Sequence, residues 1–100
     1  VAIVQGNIGV VFELTFVDED DEPIDLRDAT LLELIFVKPD CAETTQTPTL
    51  TGVKGEVRYV TTATTDLDQS GGWAFYGHAI RPGEEWHTLP IRFEVRAIGV

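Results

Sequence analysis

The chain is 100 residues long, enough for one domain with one hydrophobic core, and 1–100 reads as a single unit. Hydrophobic residues make up 43% of it, which excludes a disordered tail, and a formal net charge of −10 argues against nucleic acid or an anionic membrane as partner. The charge is uneven, with 11 acids and 2 bases in residues 1–50 against 6 acids and 5 bases in residues 51–100. No apolar run reaches transmembrane length and no leader pattern is seen in the sequence as given, so a soluble protein is expected.

Apolar alternation of period two dominates the chain, and helical periodicity is nearly absent. Val1 to Val4 is an apolar start that reads either as the first strand or as an arm pairing with a neighbour. Val10 to Val17 alternates as a strand, with Phe12, Leu14 and Phe16 on one face and Glu13 and Thr15 on the other. The run Asp18 to Pro23 breaks it as a hairpin loop or corner. Thr30 to Lys38 is the second long strand, apolar on both faces, which predicts a central position or cover on both sides. Pro39-Asp40 ends it, and Cys41 to Gly52 reads as a long loop with a short edge strand at Thr47 to Thr51. Glu56 to Thr61 alternates with Val57 and Tyr59 inward, and Thr64 to Gln69 predicts one helical turn with a threonine cap. After a Gly71-Gly72 turn, Trp73 to Ile80 is a strand with Trp73, Phe75 and Ala79 on one face and Tyr76, His78 and Ile80 on the other. Arg81 to Glu85 is a hairpin turn on Pro82 and Gly83. Ile91 to Ala97 closes the chain with Ile91, Phe93, Val95 and Ala97 inward. Six to eight short strands with regularly spaced turns predict an all-β sandwich or barrel whose core holds Phe12, Phe36, Tyr59, Trp73 and Phe93.

Few residue patterns carry chemistry. Asp18, Asp20 and Glu22 could offer oxygens to calcium, but the glycine and glutamate positions of an EF-hand loop are filled by Pro23 and Ala29. His78 and His87 with Glu84, Glu85 and Cys41 lack the spacing of a zinc site, and one cysteine permits no intrachain disulfide. Ser70 with His78 and Asp66 or Asp68 lacks a nucleophile elbow. Neither P-loop nor dinucleotide fingerprint occurs. These patterns predict no enzyme, no resident metal and no cofactor. Trp73 belongs to the core, whereas Trp86, beside a turn in Glu84-Glu85-Trp86-His87, either forms part of an interface or folds over the end of the sandwich. The candidate interface residues are therefore Val1, Ile3, Val4, Trp86 and His87.

A further set of landmarks runs in order along the chain. Gly6-Asn7 precedes the first long strand, and Pro23-Ile24-Asp25-Leu26 with Asp28-Ala29-Thr30 leads into the second. Lys38-Pro39-Asp40, Gly55-Glu56-Val57-Arg58-Tyr59, Thr65-Asp66-Leu67 and Gly72-Trp73 follow, and Thr88-Leu89-Pro90 precedes Ile91-Arg92-Phe93-Glu94-Val95. The series covers nearly the whole chain, though Cys41 to Gly52 has no counterpart in it, and it resembles the N-terminal domain of the phage baseplate upper protein family. The resemblance implies an immunoglobulin-like antiparallel β-sandwich of about seven short strands. It also implies a structural virion protein of a tailed bacteriophage, assembled in the host cytoplasm into the tail or baseplate. Its partners would be other virion proteins and further copies of itself, and that family brings no catalytic residues. The alternatives are a capsid decoration or neck protein, and a glycan-binding module with or without calcium.

Overall fold

A computed structural model describes residues 3–99. Among them run β1 (Ile3–Val4), β2 (Val11–Thr15), β3 (Leu31–Val37), β4 (Glu43–Gln46), β5 (Thr49–Leu50), β6 (Glu56–Val60), β7 (Gly71–Arg81), β8 (Glu84–His87) and β9 (Ile91–Arg96). They form two sheets. One is ordered β1-β9-β7-β3-β4, with β8 also on β7, and the other β2-β6-β5. All pairings are antiparallel except β1 on β9, where Ile3 lies opposite Val95. This is an all-β sandwich, in which β1 joins β9 in parallel and β2 opens the opposite sheet.

The period-two patterns set which faces meet. Phe12, Leu14 and Phe16 from the β2 side pack against Leu34 and Phe36 of β3, Val57 of β6, and Trp73 and Phe75 of β7. Phe12 sits at the centre of the aromatic cluster, its ring 5.1 Å from Phe36, 5.2 Å from Phe75 and 4.9 Å from Phe93. Of the five expected core residues, Phe12, Phe36 and Trp73 are buried, and Tyr59 and Phe93 pack partly buried against the cluster. Ile24 and Leu26 are buried as well. They close one margin of the sandwich after the acidic loop, where Val17 bridges Pro23 and the Ile24 N–H donates to the Phe16 carbonyl.

The structure departs from the sequence expectations in five places. Cys41 to Gly52 holds two strands, not one. Glu43–Gln46 joins the edge of the first sheet, and Thr49–Leu50 joins the edge of the second, with buried Pro48 at the corner between them. Thr64 to Gln69 holds a hydrogen-bonded turn, with the Asp66 N–H donating to the Ala63 carbonyl, but no helix and no threonine cap. Asp66, not a threonine, organises it, because its Oδ2 accepts the Thr62 and Ala63 N–H groups and the Tyr59 hydroxyl at 2.8 Å. Gly71 and Gly72 begin β7 and are not a separate turn. The first long strand is shorter than Val10 to Val17 and spans Val11–Thr15. Ile91 shares the inward register of Phe93 and Val95 yet is 44% exposed, because it lies at the open margin between the sheets.

Candidate functional site

β7 is the longest strand, and two strands share one of its sides. β8 pairs from His78 to Arg81 and β9 from Gly71 to Phe75. Between them Thr88, Leu89 and Pro90 stand opposite only Tyr76 and Gly77, so the last strand carries one extra residue, a β-bulge. Thr88 anchors it, since its N–H donates to the Gly77 carbonyl and its Oγ1 accepts the Gly77 N–H at 2.8 Å. Pro90 has no N–H to give the ladder. The bulge turns Leu89 outward, where it is 86% exposed.

Leu89 forms one wall of a groove of about 450 Å³ along the margin of the sandwich, with His87 and Ile91 beside it. Leu14, Thr15 and Val17 form the facing wall, and Asp18, Glu19 and Asp21 form one lip. No lysine or arginine lines it. The lip has a fixed shape. Asp18 Oδ1 accepts the backbone N–H groups of Asp20 and Glu22, and Asp21 adopts a left-handed conformation at φ 60°.

β2 is the edge of its sheet at this groove. The Phe16 N–H donates to Gly55 and the Val10 carbonyl accepts from Thr61, so the even-numbered residues turn their backbone groups toward β6. Alternation then directs the N–H and C=O of Val11, Glu13 and Thr15 to the open side. Among the described residues no hydrogen bond reaches them there.

A second cluster lies on the outer face of the larger sheet. Glu33, His78 and His87 occupy one cross-strand row. The His78 ring is held at both nitrogens, with Nδ1 3.2 Å from Glu33 and Nε2 2.8 Å from Glu85, and His87 stacks on it at 4.5 Å. The Glu85 hydrogen bond raises the His78 pKa above its ordinary value, against the opposing effect of burial and with further help from Glu33. The same bond lowers that of Glu85. Both His78 nitrogens are occupied by carboxylates, and among the described residues no group of three potential ligands is arranged to hold a metal ion.

Of the residues read from sequence, His78, His87 and Glu85 come together. Cys41 sits apart at the exposed β3–β4 turn, and Glu84 is engaged by Arg81 and the Trp86 indole N–H. Ser70 lies eight residues from His78 along β7, roughly 26 Å of extended chain, and Asp66 is committed to Tyr59, so no hydrolytic triad forms. Ile3 and Val4 are the first strand of the domain, half-buried on β9. Val1 lies outside the described residues. Trp86 stands opposite Ala79 on the inward face and packs over the core. His87 remains exposed and borders the groove. Sequence reasoning missed Val17, Leu89 and Ile91 as neighbours; its one available signal was an apolar residue between Thr88 and Pro90. No helix among the described residues is long and apolar enough to cross a membrane.

No family model matches the chain, and neither the curated proteins nor the solved structures contain a significant match to it.

Proposed function

We infer that this chain is a structural virion protein of a tailed bacteriophage, an assembly or adaptor component of the tail or baseplate. The observation that carries this reading is the ordered series of landmarks across the sequence, from Gly6-Asn7 to Ile91-Arg92-Phe93-Glu94-Val95. Several of them are joints of the sandwich. Ile24 and Leu26 of the Pro23 to Leu26 landmark are buried, and Gly55 passes so close to Ile24 and Phe16 that a side chain there would meet their backbone atoms at 3.1 and 2.8 Å. An open strand edge beside an exposed apolar bulge suits a module that docks by contact rather than one that turns over a substrate.

The partners in this reading are other virion proteins and further copies of the chain. Antibodies raised against the purified domain and applied to particles of the source phage test it by electron microscopy. Label at the tail or baseplate is the expected result. Label on the capsid surface or neck moves the protein to those structures, and unlabelled particles that also lack its peptides by mass spectrometry overturn the reading.

A further inference from the structure

We propose that the groove between β2 and the β8–β9 bulge binds an extended, basic and apolar segment of a partner protein, which adds to the sheet as a strand beside β2. The backbone of Val11, Glu13 and Thr15 offers three N–H and three C=O groups on the open side, the hydrogen-bonding half of a ladder. An incoming strand presents alternate side chains to the groove. Those side chains meet Leu89 at 86% exposure, Ile91 at 44% and Val17 at 41%, surfaces that gain from apolar cover.

The charge of the occupant follows from the lip. Asp18, Glu19 and Asp21 border the groove with no lysine or arginine among its lining, in a chain of net charge −10. An acidic segment would be repelled there, and a lysine or arginine near the Asp18 end of the added strand would be attracted. Glu13 on β2 already pairs with Arg58 at 3.1 Å, so the unmatched negative potential is concentrated at the loop end of the strand. The occupant thus has alternating apolar residues on one face and at least one cation toward the end that meets the loop. This inference concerns the groove as a docking edge and does not depend on a phage origin.

The test is an NMR titration of the folded chain with a synthetic nine-residue peptide of alternating valine and lysine. The controls are a peptide of the same composition in block order and one with glutamate replacing lysine. Saturable shift changes at the amides of Val11, Glu13, Thr15 and Leu89, with slowed hydrogen exchange at the three β2 amides, are expected for the alternating peptide. The block-order peptide should bind about tenfold more weakly, and the glutamate peptide should leave the spectrum unchanged. In the protein, Leu89→Asp should weaken binding about tenfold with little change in melting temperature, because the side chain is exposed. The pair Glu19→Gln and Asp21→Asn should weaken it and flatten its salt dependence, with asparagine keeping the left-handed turn available. Equal binding of the alternating and block-order peptides, shifts scattered over the acidic surface or mapped to β4, or no saturation at millimolar peptide would overturn the proposal. The titration reads the groove alone and particle labelling reads the origin, so either result can fail without the other.

Discussion

A β-carbon at Gly77 would lie 2.5 Å from Phe16 Cζ and 3.1 Å from Leu14 Cδ1. Phe16 is 1% exposed and cannot swing away, so Gly77→Ala forces the two sheets apart at the point where the bulge is anchored. Chemical denaturation should show a loss of about 1–3 kcal/mol, the usual cost of overpacking. A stability equal to wild type would mean the groove wall is softer than its burial implies. Asp66 is a different kind of joint. Burial would raise its pKa, but the N–H groups of Thr62 and Ala63 and the Tyr59 hydroxyl outweigh that and hold it low. Asp66→Ala should cost about 1–2 kcal/mol, like the loss of a good cap, and Tyr59→Phe less, because the backbone donors keep their acceptor. His78 gives a pH signature. Its folded pKa lies above the ordinary 6.5, so the stability it supplies is complete below about 6.5 and is lost as pH rises through the raised value. Glu85, lowered from 4.5, supplies stability above that value and loses it as pH falls through its own folded pKa. The melting temperature of the wild-type chain should therefore fall more steeply than that of His78→Gln on going from about pH 6 to about pH 8.5. Parallel curves would show that Glu85 and Glu33 do not favour the charged His78 ring in the folded state.

At the scale of the element, β7 shows which features a sequence reveals. Its alternation of Trp73, Phe75 and Ala79 with Tyr76, His78 and Ile80 is strong because one face meets the other sheet and the opposite face meets solvent, so burial itself imposes period two. Trp73 is 2% exposed, stacks on Phe93 at 5.9 Å and donates its indole N–H to the Gln69 carbonyl. Trp73→Ala should cost about 3–5 kcal/mol by thermal or denaturant unfolding. β4 was not legible for the converse reason. Glu43-Thr44-Thr45-Gln46 is an edge strand with polar residues on both faces, so no hydrophobic pattern marks it. The groove escaped the sequence because its walls are far apart in the chain, Leu14 to Val17 on one side and His87 to Ile91 on the other, and they belong to different sheets that meet only when the sandwich packs. The cluster on the outer face was half legible. His78, His87 and Glu85 are near in sequence across one tight hairpin, whereas Glu33 arrives through the β3–β7 register. The extra residue in Thr88-Leu89-Pro90 cannot be counted until the register on both sides of it is known.

The whole molecule is elongated, 46 × 24 × 21 Å along its principal axes, and carries 17 acids against 7 bases. Its ion pairs do little to offset that excess. Arg27–Asp25, Arg58–Glu13 and Arg81–Glu84 join exposed or partly exposed side chains, and such pairs contribute little to stability. Among the described residues, the acids of the Asp18 to Glu22 loop meet no base. Self-repulsion should therefore exceed ion pairing in the sum, and screening should stabilise the fold. Raising sodium chloride from about 10 mM to about 200 mM shortens the Debye length from roughly 30 Å to under 10 Å, less than half the molecule's short dimension of 21 Å. The melting temperature should rise by a few degrees, corresponding to about 1 kcal/mol of relieved repulsion for a domain of this size. If it falls with salt, the surface ion pairs outweigh the repulsion, and the acidic lip of the groove then has less unmatched potential to offer a basic partner. If it rises, Glu19→Gln with Asp21→Asn should reproduce part of the gain at low salt, because the repulsion removed is concentrated in that loop.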